Sequence, residues 1–157
     1  MISTMMLLAA LGSGLIAGLF FAFSVSVMRA LSRIPAPAGI AAMQAINVVI
    51  LNPVFGLVFF GTAVASLFLG GVALLRWSEP GSVYLLAGAL FYVIGSFVVT
   101  LVFNVPRNNA LARMDAAAGD AGGGWSRYVA EWTAWNHVRL IASLVASAAF
   151  TIAFSLF

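Results

Sequence analysis

EWTAWNHVRL, residues 131–140, brings one acid, two tryptophans, an asparagine, an arginine and the chain's single histidine into ten positions. The chain is 64% hydrophobic and only 7% charged, so this stretch concentrates scarce polarity. A carboxylate and an imidazole exchange protons, a guanidinium holds anions, and indole rings either anchor a helix at a membrane interface or wall a flat ligand. Each residue also has a plain structural reading. Trp132 and Trp135 suit interfacial anchoring, Arg139 suits holding Glu131 or a carbonyl, and His137 suits an interfacial polar position.

Other segments add to the same layer. Gln44, Asn47 and Asn52 lie along the second apolar stretch, and Asn104 and Asn108 flank the end of the third, with Arg107 and Asn109 beside them. Ser24, Ser26 and Arg29 close the first. Two prolines adjoin these amides. Pro53 follows Asn52, and Pro106 disfavours helical geometry at Val105, so a break or kink is expected at both. Irregular backbone at membrane depth is tolerated where it lines a cavity. The coincidence across segments points to a buried polar pocket, with Arg139, His137 and Glu131 as its reactive candidates. Asn52, Asn104, Asn108, Asn136, Trp132, Trp135, Gln44 and Asn47 are its binding candidates.

The elements that must position these groups follow from composition. Mean hydropathy is +1.13 over 157 residues, and a bilayer-spanning helix needs about 20 mostly apolar residues. Four stretches qualify, roughly 5–28, 46–75, 82–103 and 129–157. They use most of the chain, which predicts a single all-α domain over 1–157, an integral membrane four-helix bundle. Leu140–Phe157 holds nine Leu, Ile, Val or Phe residues, worth roughly 3–5 kcal/mol toward insertion. One arginine facing lipid at mid-membrane would cost about 3 kcal/mol. Arg139 must therefore lie near the interface or face inward. At 100° per residue, Tyr128, Glu131, Trp132, Trp135 and Arg139 share one stripe, with Asn136 beside it and Ala142, Ala146 and Ala149 continuing it. His137 points about 160° away from Arg139 on an ideal helix. Ile141, Leu144, Ala148 and Ile152 form a lipid-suited face.

Arginine placement predicts orientation. Five arginines lie in or beside the first and third connections and Arg76 alone in the second. Both longer loops are thus expected at the cytoplasmic side of the cell membrane, with both termini on the non-cytoplasmic side. The N-terminal stretch lacks a basic start and an A-x-A site, and reads as the first helix rather than a signal peptide. Residues 116–124, AAAGDAGGG, read as a flexible tether. Gly14 and Gly18 form G-x-x-x-G, which suits helix packing inside the bundle or a homo-oligomer contact. Without cysteine and with one histidine there is no usual zinc or copper site; a haem with a single His ligand stays open, though no attachment motif is present. A formal charge of +3 is too small and dispersed for nucleic acid.

FFAFSVSVMRAL (20–31), GIAAMQAINVVILNPVF (39–55), FNVPRNNAL (103–111) and WTAWNHVR (132–139) resemble the anthrone oxygenase-like family of small membrane proteins. Arg29 departs from the proline expected after Val-Met in that pattern. The resemblance implies a four-helix membrane bundle and cofactor-independent oxidation of anthrones by dioxygen. Against that chemistry, the aromatic residues would bind a flat polycyclic phenol. His137, or Glu131 raised in pKa by burial, would take the methylene proton, although the angle of His137 counts against it. Arg139 with Asn52, Asn104, Asn108 and Asn136 would hold the anion. The same pocket without a base would suit a quinone- or lipid-binding protein, or an accessory subunit of a membrane complex. A transporter is disfavoured because the outer halves of helices 1, 3 and 4 are dry.

Overall fold

The computed structural model describes residues 1–116, 118 and 121–157, and among them every regular element is helical. The helices are α1 (Ile2–Leu31), α2 (Ala36–Val49), α3 (Pro53–Leu75), α4 (Ser82–Ala112) and α5 (Ala121–Leu156). All but α2 are long and apolar enough to cross a bilayer. The chain is a helical membrane bundle of four long helices with α2 packed at one end.

The sequence pattern and the helices differ in three places, each for a local reason. The stretch expected over 46–75 is divided between two helices, α2 and α3, at the break expected beside Pro53. Pro53 has no N–H to donate and starts α3, while Asn52 is extended (φ −102°, ψ 162°) and accepts the Phe55 amide on its side chain. The break expected at Val105 is absent, because Val105 is helical (φ −60°, ψ −46°) and α4 runs through Pro106 to Ala112. A wide π-helical turn, Thr100–Asn104, sits directly before Pro106 and takes up the register change. Finally, α5 begins at Ala121, so Gly122, Gly123 and Gly124 are helical rather than part of a tether. Ala117, Gly119 and Asp120 of that stretch lie outside the described residues.

Burial is inverted relative to a water-soluble bundle. Leu57 is 76% exposed and Ile141 60%, whereas Ser66, Ser96 and Ser143 are fully buried. Lipid solvates the apolar outer side chains, and small residues let the helices approach closely. A Cβ added at Gly12 would collide with the Thr62 hydroxyl, one at Gly88 would lie 2.8 Å from the Phe150 ring, and one at Gly95 2.5 Å from the Ala142 methyl. Gly14 touches Ser147 across the α1–α5 contact, whereas Gly18 faces open space, so the G-x-x-x-G pair does not act as a unit inside the bundle.

The helices α1 and α5 run antiparallel, pinned where the Ser147 hydroxyl donates to the Ala10 carbonyl (2.8 Å) and Asn136 reaches Phe20. At one end, Phe157 packs against Gly81 in the α3–α4 turn. At the other, Trp125 packs on Gly39, and Gln44 donates to the carbonyls of Leu111 (2.8 Å) and Met114 (3.1 Å). Two apolar clusters result. Met6, Phe59, Leu69, Leu85, Tyr92 and Phe150 belong to the first. Met28, Ile40, Met43, Leu111, Trp125 and Trp132 belong to the second.

Candidate functional site

Arg139 lies where these clusters meet. It is 4% exposed, and its surroundings come from α1, α4 and α5. Nη2 donates to Asn136 Oδ1 (2.6 Å) and Nη1 to Thr100 Oγ1 (3.2 Å). The guanidinium carbon sits 4.1 Å from the Phe20 ring centre and 5.1 Å from that of Trp132. A cation against an aromatic face gains about 0.5–2 kcal/mol, most when desolvated. These contacts hold the side chain in place, yet Nε has no hydrogen-bond partner.

Asn136, fully buried, supports this arrangement. Its Nδ2 donates to the Phe20 carbonyl (2.7 Å) and to Ser24 Oγ (2.8 Å). Arginine can only donate and a carbonyl can only accept, so the orientation of the Asn136 amide is fixed. Ser24 Oγ lies 2.9 Å from His137 Nδ1 on the outer side. Arg139, Asn136, Ser24 and His137 thus form one hydrogen-bonded line from the bundle interior to its surface.

The polar partners sit on wide turns. Ser24 belongs to the π-helical turn Phe23–Val27, Ser96 to Phe91–Val98, and Thr100 and Asn104 to Thr100–Asn104. Such turns interrupt the ordinary i→i−4 pattern and are frequent at functional sites. Around Phe20, the interruption coincides with a carbonyl that also accepts from Asn136.

A cavity of about 90 Å³ adjoins the guanidinium. Its ring walls are Phe20, Phe23, Phe55 and Trp132, and its polar groups are Asn47, Thr100, Asn108 and Arg139. Asn47 lies near the Tyr128 hydroxyl, but its buried Nδ2 makes no well-formed hydrogen bond. Asn108 Oδ1 accepts from Trp132 Nε1 (2.8 Å) and the Tyr128 hydroxyl (3.0 Å), which locks the indole plane. Ile50 and Leu51, at the α2–α3 break, complete the wall, and Leu51 is 79% exposed. The cavity therefore reaches the lipid-facing surface at that break. Its lining is rich in rings and in N–H donors and, among the described residues, contains no carboxylate or imidazole. A buried donor without a partner costs about 1–3 kcal/mol, so Arg139 Nε and Asn47 Nδ2 suit a ligand oxygen, above all an anionic one.

The candidates divide by position. Arg139, Trp132, Asn47 and Asn108 line the cavity, and Asn136 supports it from behind. Asn104 is 1% exposed and donates to the Trp132 carbonyl (3.2 Å), with Oδ1 unpartnered. Five others are elsewhere. Glu131 is exposed and paired with Arg107 at 3.0 Å. Trp135 stacks on Phe103 with ring centres 3.6 Å apart. Asn52 is exposed and caps α3, and Gln44 ties α2 to the end of α4. His137 is exposed on the far side of α5, in agreement with its helical angle, and is linked to the cavity groups through Ser24 and Asn136. Sequence reasoning missed Phe20, Phe23 and Thr100 as individual wall residues, because the segment 20–31 was legible only as a motif and Thr100 is one hydroxyl within an apolar run.

Comparison with family models decides the kinship. The anthrone oxygenase model matches residues 52–149. The chain belongs to the anthrone oxygenase family. Of the cavity groups, Phe55, Thr100, Asn108, Trp132 and Arg139 fall inside the span matched to the family, together with Asn104 and Asn136. The walls from α1 and α2, including Phe20, Phe23 and Asn47, precede that span. Searches of curated proteins and of solved structures return no match.

Proposed function

We propose that this member of the anthrone oxygenase family binds a flat polycyclic phenol of the anthrone type in the Arg139 cavity and promotes its oxidation by dioxygen. One observation carries the reading: a buried guanidinium with an unused N–H beside a chamber walled by four aromatic rings. An anthrone is acidic at its methylene carbon, and its anion places negative charge on the ring oxygen. Arg139 and Asn47 would meet that oxygen, and a buried cation stabilises it more than water does. The electron-rich carbon then attacks dioxygen directly. One oxygen atom becomes the new carbonyl, and the other leaves as water with the two methylene hydrogens. No metal or organic cofactor enters this scheme.

The cavity supplies anion binding rather than a base, so the substrate would lose its proton to water at the membrane interface and bind as the anion. The chamber is smaller than the roughly 300–1,000 Å³ of most ligand sites. A tricyclic ligand would have to spread the α2–α3 break at Ile50 and Leu51, which also offers entry from the bilayer. The test is oxygen uptake by purified protein in lipid nanodiscs supplied with emodinanthrone, with the anthraquinone product measured. Uptake above that of empty nanodiscs supports the reading; identical rates overturn it.

The donors and rings of the lining, with no carboxylate or imidazole among its described residues, favour a second reading, a quinone-binding protein whose donors hold a neutral carbonyl. Mass spectrometry of gently extracted protein would then show a retained quinone, with no oxygen consumption above background. For either reading the basic end, bearing Arg29, Arg33, Arg113 and Arg127, would face the cytoplasm of the cell.

A further inference from the structure

A second concavity lies on the outer side of the bundle, between the end of α1 and the first half of α5. Its central part, about 420 Å³, is lined by Ser24, Arg29, Ser32, Ala134 and His137 among others. It continues toward Phe21, Val25, Leu140 and Ile141 as a further 230 Å³, sharing Ser24, Arg29 and His137. In the other direction it reaches Ser126 and Trp125 through Ser32 and Ala130. The result is one continuous groove, apolar at its deep end and polar at its basic end, with the His137 imidazole in its central part.

Its polar groups are poised for an outside acceptor. The Arg29 guanidinium is exposed and makes no hydrogen bond or ion pair among the described residues. The Thr133 hydroxyl is buried without a partner and lines the same groove. Ser24 Oγ accepts from Asn136 and lies 2.9 Å from His137 Nδ1, a contact whose direction follows the tautomer of the ring. His137 Nε2 has no protein partner among the described residues, and in the tautomer that carries its proton there it is a free donor. The Arg29 guanidinium, the His137 ring and the Thr133 hydroxyl line the groove as donors for a phosphate-sized acceptor, while the Ser32 hydroxyl already donates to the Arg29 carbonyl (2.9 Å). The apolar extension alongside four apolar side chains suits an acyl chain rather than a free ion.

We infer that this groove binds an anionic glycerophospholipid, with the phosphate between Arg29, Thr133 and His137 and one acyl chain along Phe21, Val25, Leu140 and Ile141. The site is separate from the Arg139 cavity and does not depend on what that cavity binds. Charge complementarity selects the occupant: neighbouring Arg33 and Arg127 make this the basic end of the bundle, which draws anionic lipid.

The protein in nanodiscs of mixed phosphatidylcholine and phosphatidylglycerol is released into detergent and weighed by native mass spectrometry. Wild type should retain phosphatidylglycerol in preference to phosphatidylcholine. Arg29→Ala should lower that retention about fivefold, the loss expected for one basic residue at a membrane surface. Ala134→Leu, which fills the groove without changing charge, should lower it likewise, while Arg113→Ala at the same end but outside the groove should not. Excess inorganic phosphate should leave the lipid in place. Undiminished retention in Arg29→Ala and Ala134→Leu, an equal loss in Arg113→Ala, or displacement by phosphate alone would each overturn the proposal.

Discussion

The proposed function rests on one side chain, Arg139, and its neighbours explain how a membrane protein tolerates a buried guanidinium. Thr100 and Asn136 accept from it, and Phe20 and Trp132 face its charge. Asn136 is the hinge of that arrangement, because it holds Arg139 with its oxygen and α1 with its nitrogen. Asn136→Ala would leave the Phe20 carbonyl short of one bond and Arg139 loose. About 1–3 kcal/mol of stability should be lost per buried group left unpaired, read as a lowered thermal midpoint in detergent, and turnover should fall with it. Glu131→Gln should behave differently. Its ion pair with Arg107 lies at the surface, where such pairs contribute about 0–1 kcal/mol. Oxygen uptake and thermal midpoint should both stay near wild type; a large loss of turnover would restore Glu131 to the reacting centre. The inward turn of Arg139 and the outward turn of His137 were both legible from helical angles. The link between them through Ser24 was not, because a hydrogen bond across 113 positions of sequence leaves no local trace.

Among the elements, the wide turns matter most. Hydropathy finds α1 and α4 as apolar runs but is blind to the hydrogen-bond register inside them. Phe23–Val27, Phe91–Val98 and Thr100–Asn104 therefore surface only in three dimensions. Proline signals fared unevenly for the same reason. Pro53 starts a helix because Asn52 caps it, whereas Pro106 is absorbed by the turn before it. Glycine positions also separate by environment. Gly88 faces the Phe150 ring and Gly18 faces open space. Gly88→Ala should destabilise by about 1–3 kcal/mol through overpacking. Gly18→Ala should be neutral or stabilising by up to about 1 kcal/mol from helix propensity. Thermal unfolding of the two variants in one detergent checks the contrast; equal midpoints would contradict the packing described for α4 and α5.

At the scale of the molecule, the fold was readable because composition leaves so few options. A chain with four long apolar runs and sparse charge must bury its small residues and expose its leucines to lipid. The site was readable only as a layer. Clustering of amides at one end was visible, but which of them face a common space depends on the antiparallel register of α1 against α5. Helix lengths place that layer near a boundary. The 18 residues from Leu140 to Phe157 rise about 27 Å, close to the ~30 Å of hydrocarbon, so Arg139 would sit at its edge. Orientation can be tested directly because the native chain has no cysteine. A single cysteine at Arg33 should react with an impermeant maleimide only after the cells are opened. One at Glu79, in the opposite connection, should react in intact cells. The reverse pattern would contradict the assignment of the basic end to the cytoplasm.

The most direct measurement is kcat/KM for emodinanthrone oxidation by Arg139 variants in nanodiscs, with folding verified by thermal unfolding. Loss of an anion-stabilising donor in an enclosed site costs about 10²–10³-fold. Arg139→Ala should fall by at least that much, and Arg139→Lys should recover part of the rate by restoring charge without the forked geometry. Wild-type kcat/KM in a folded Arg139→Ala protein would contradict a reaction centred on this guanidinium.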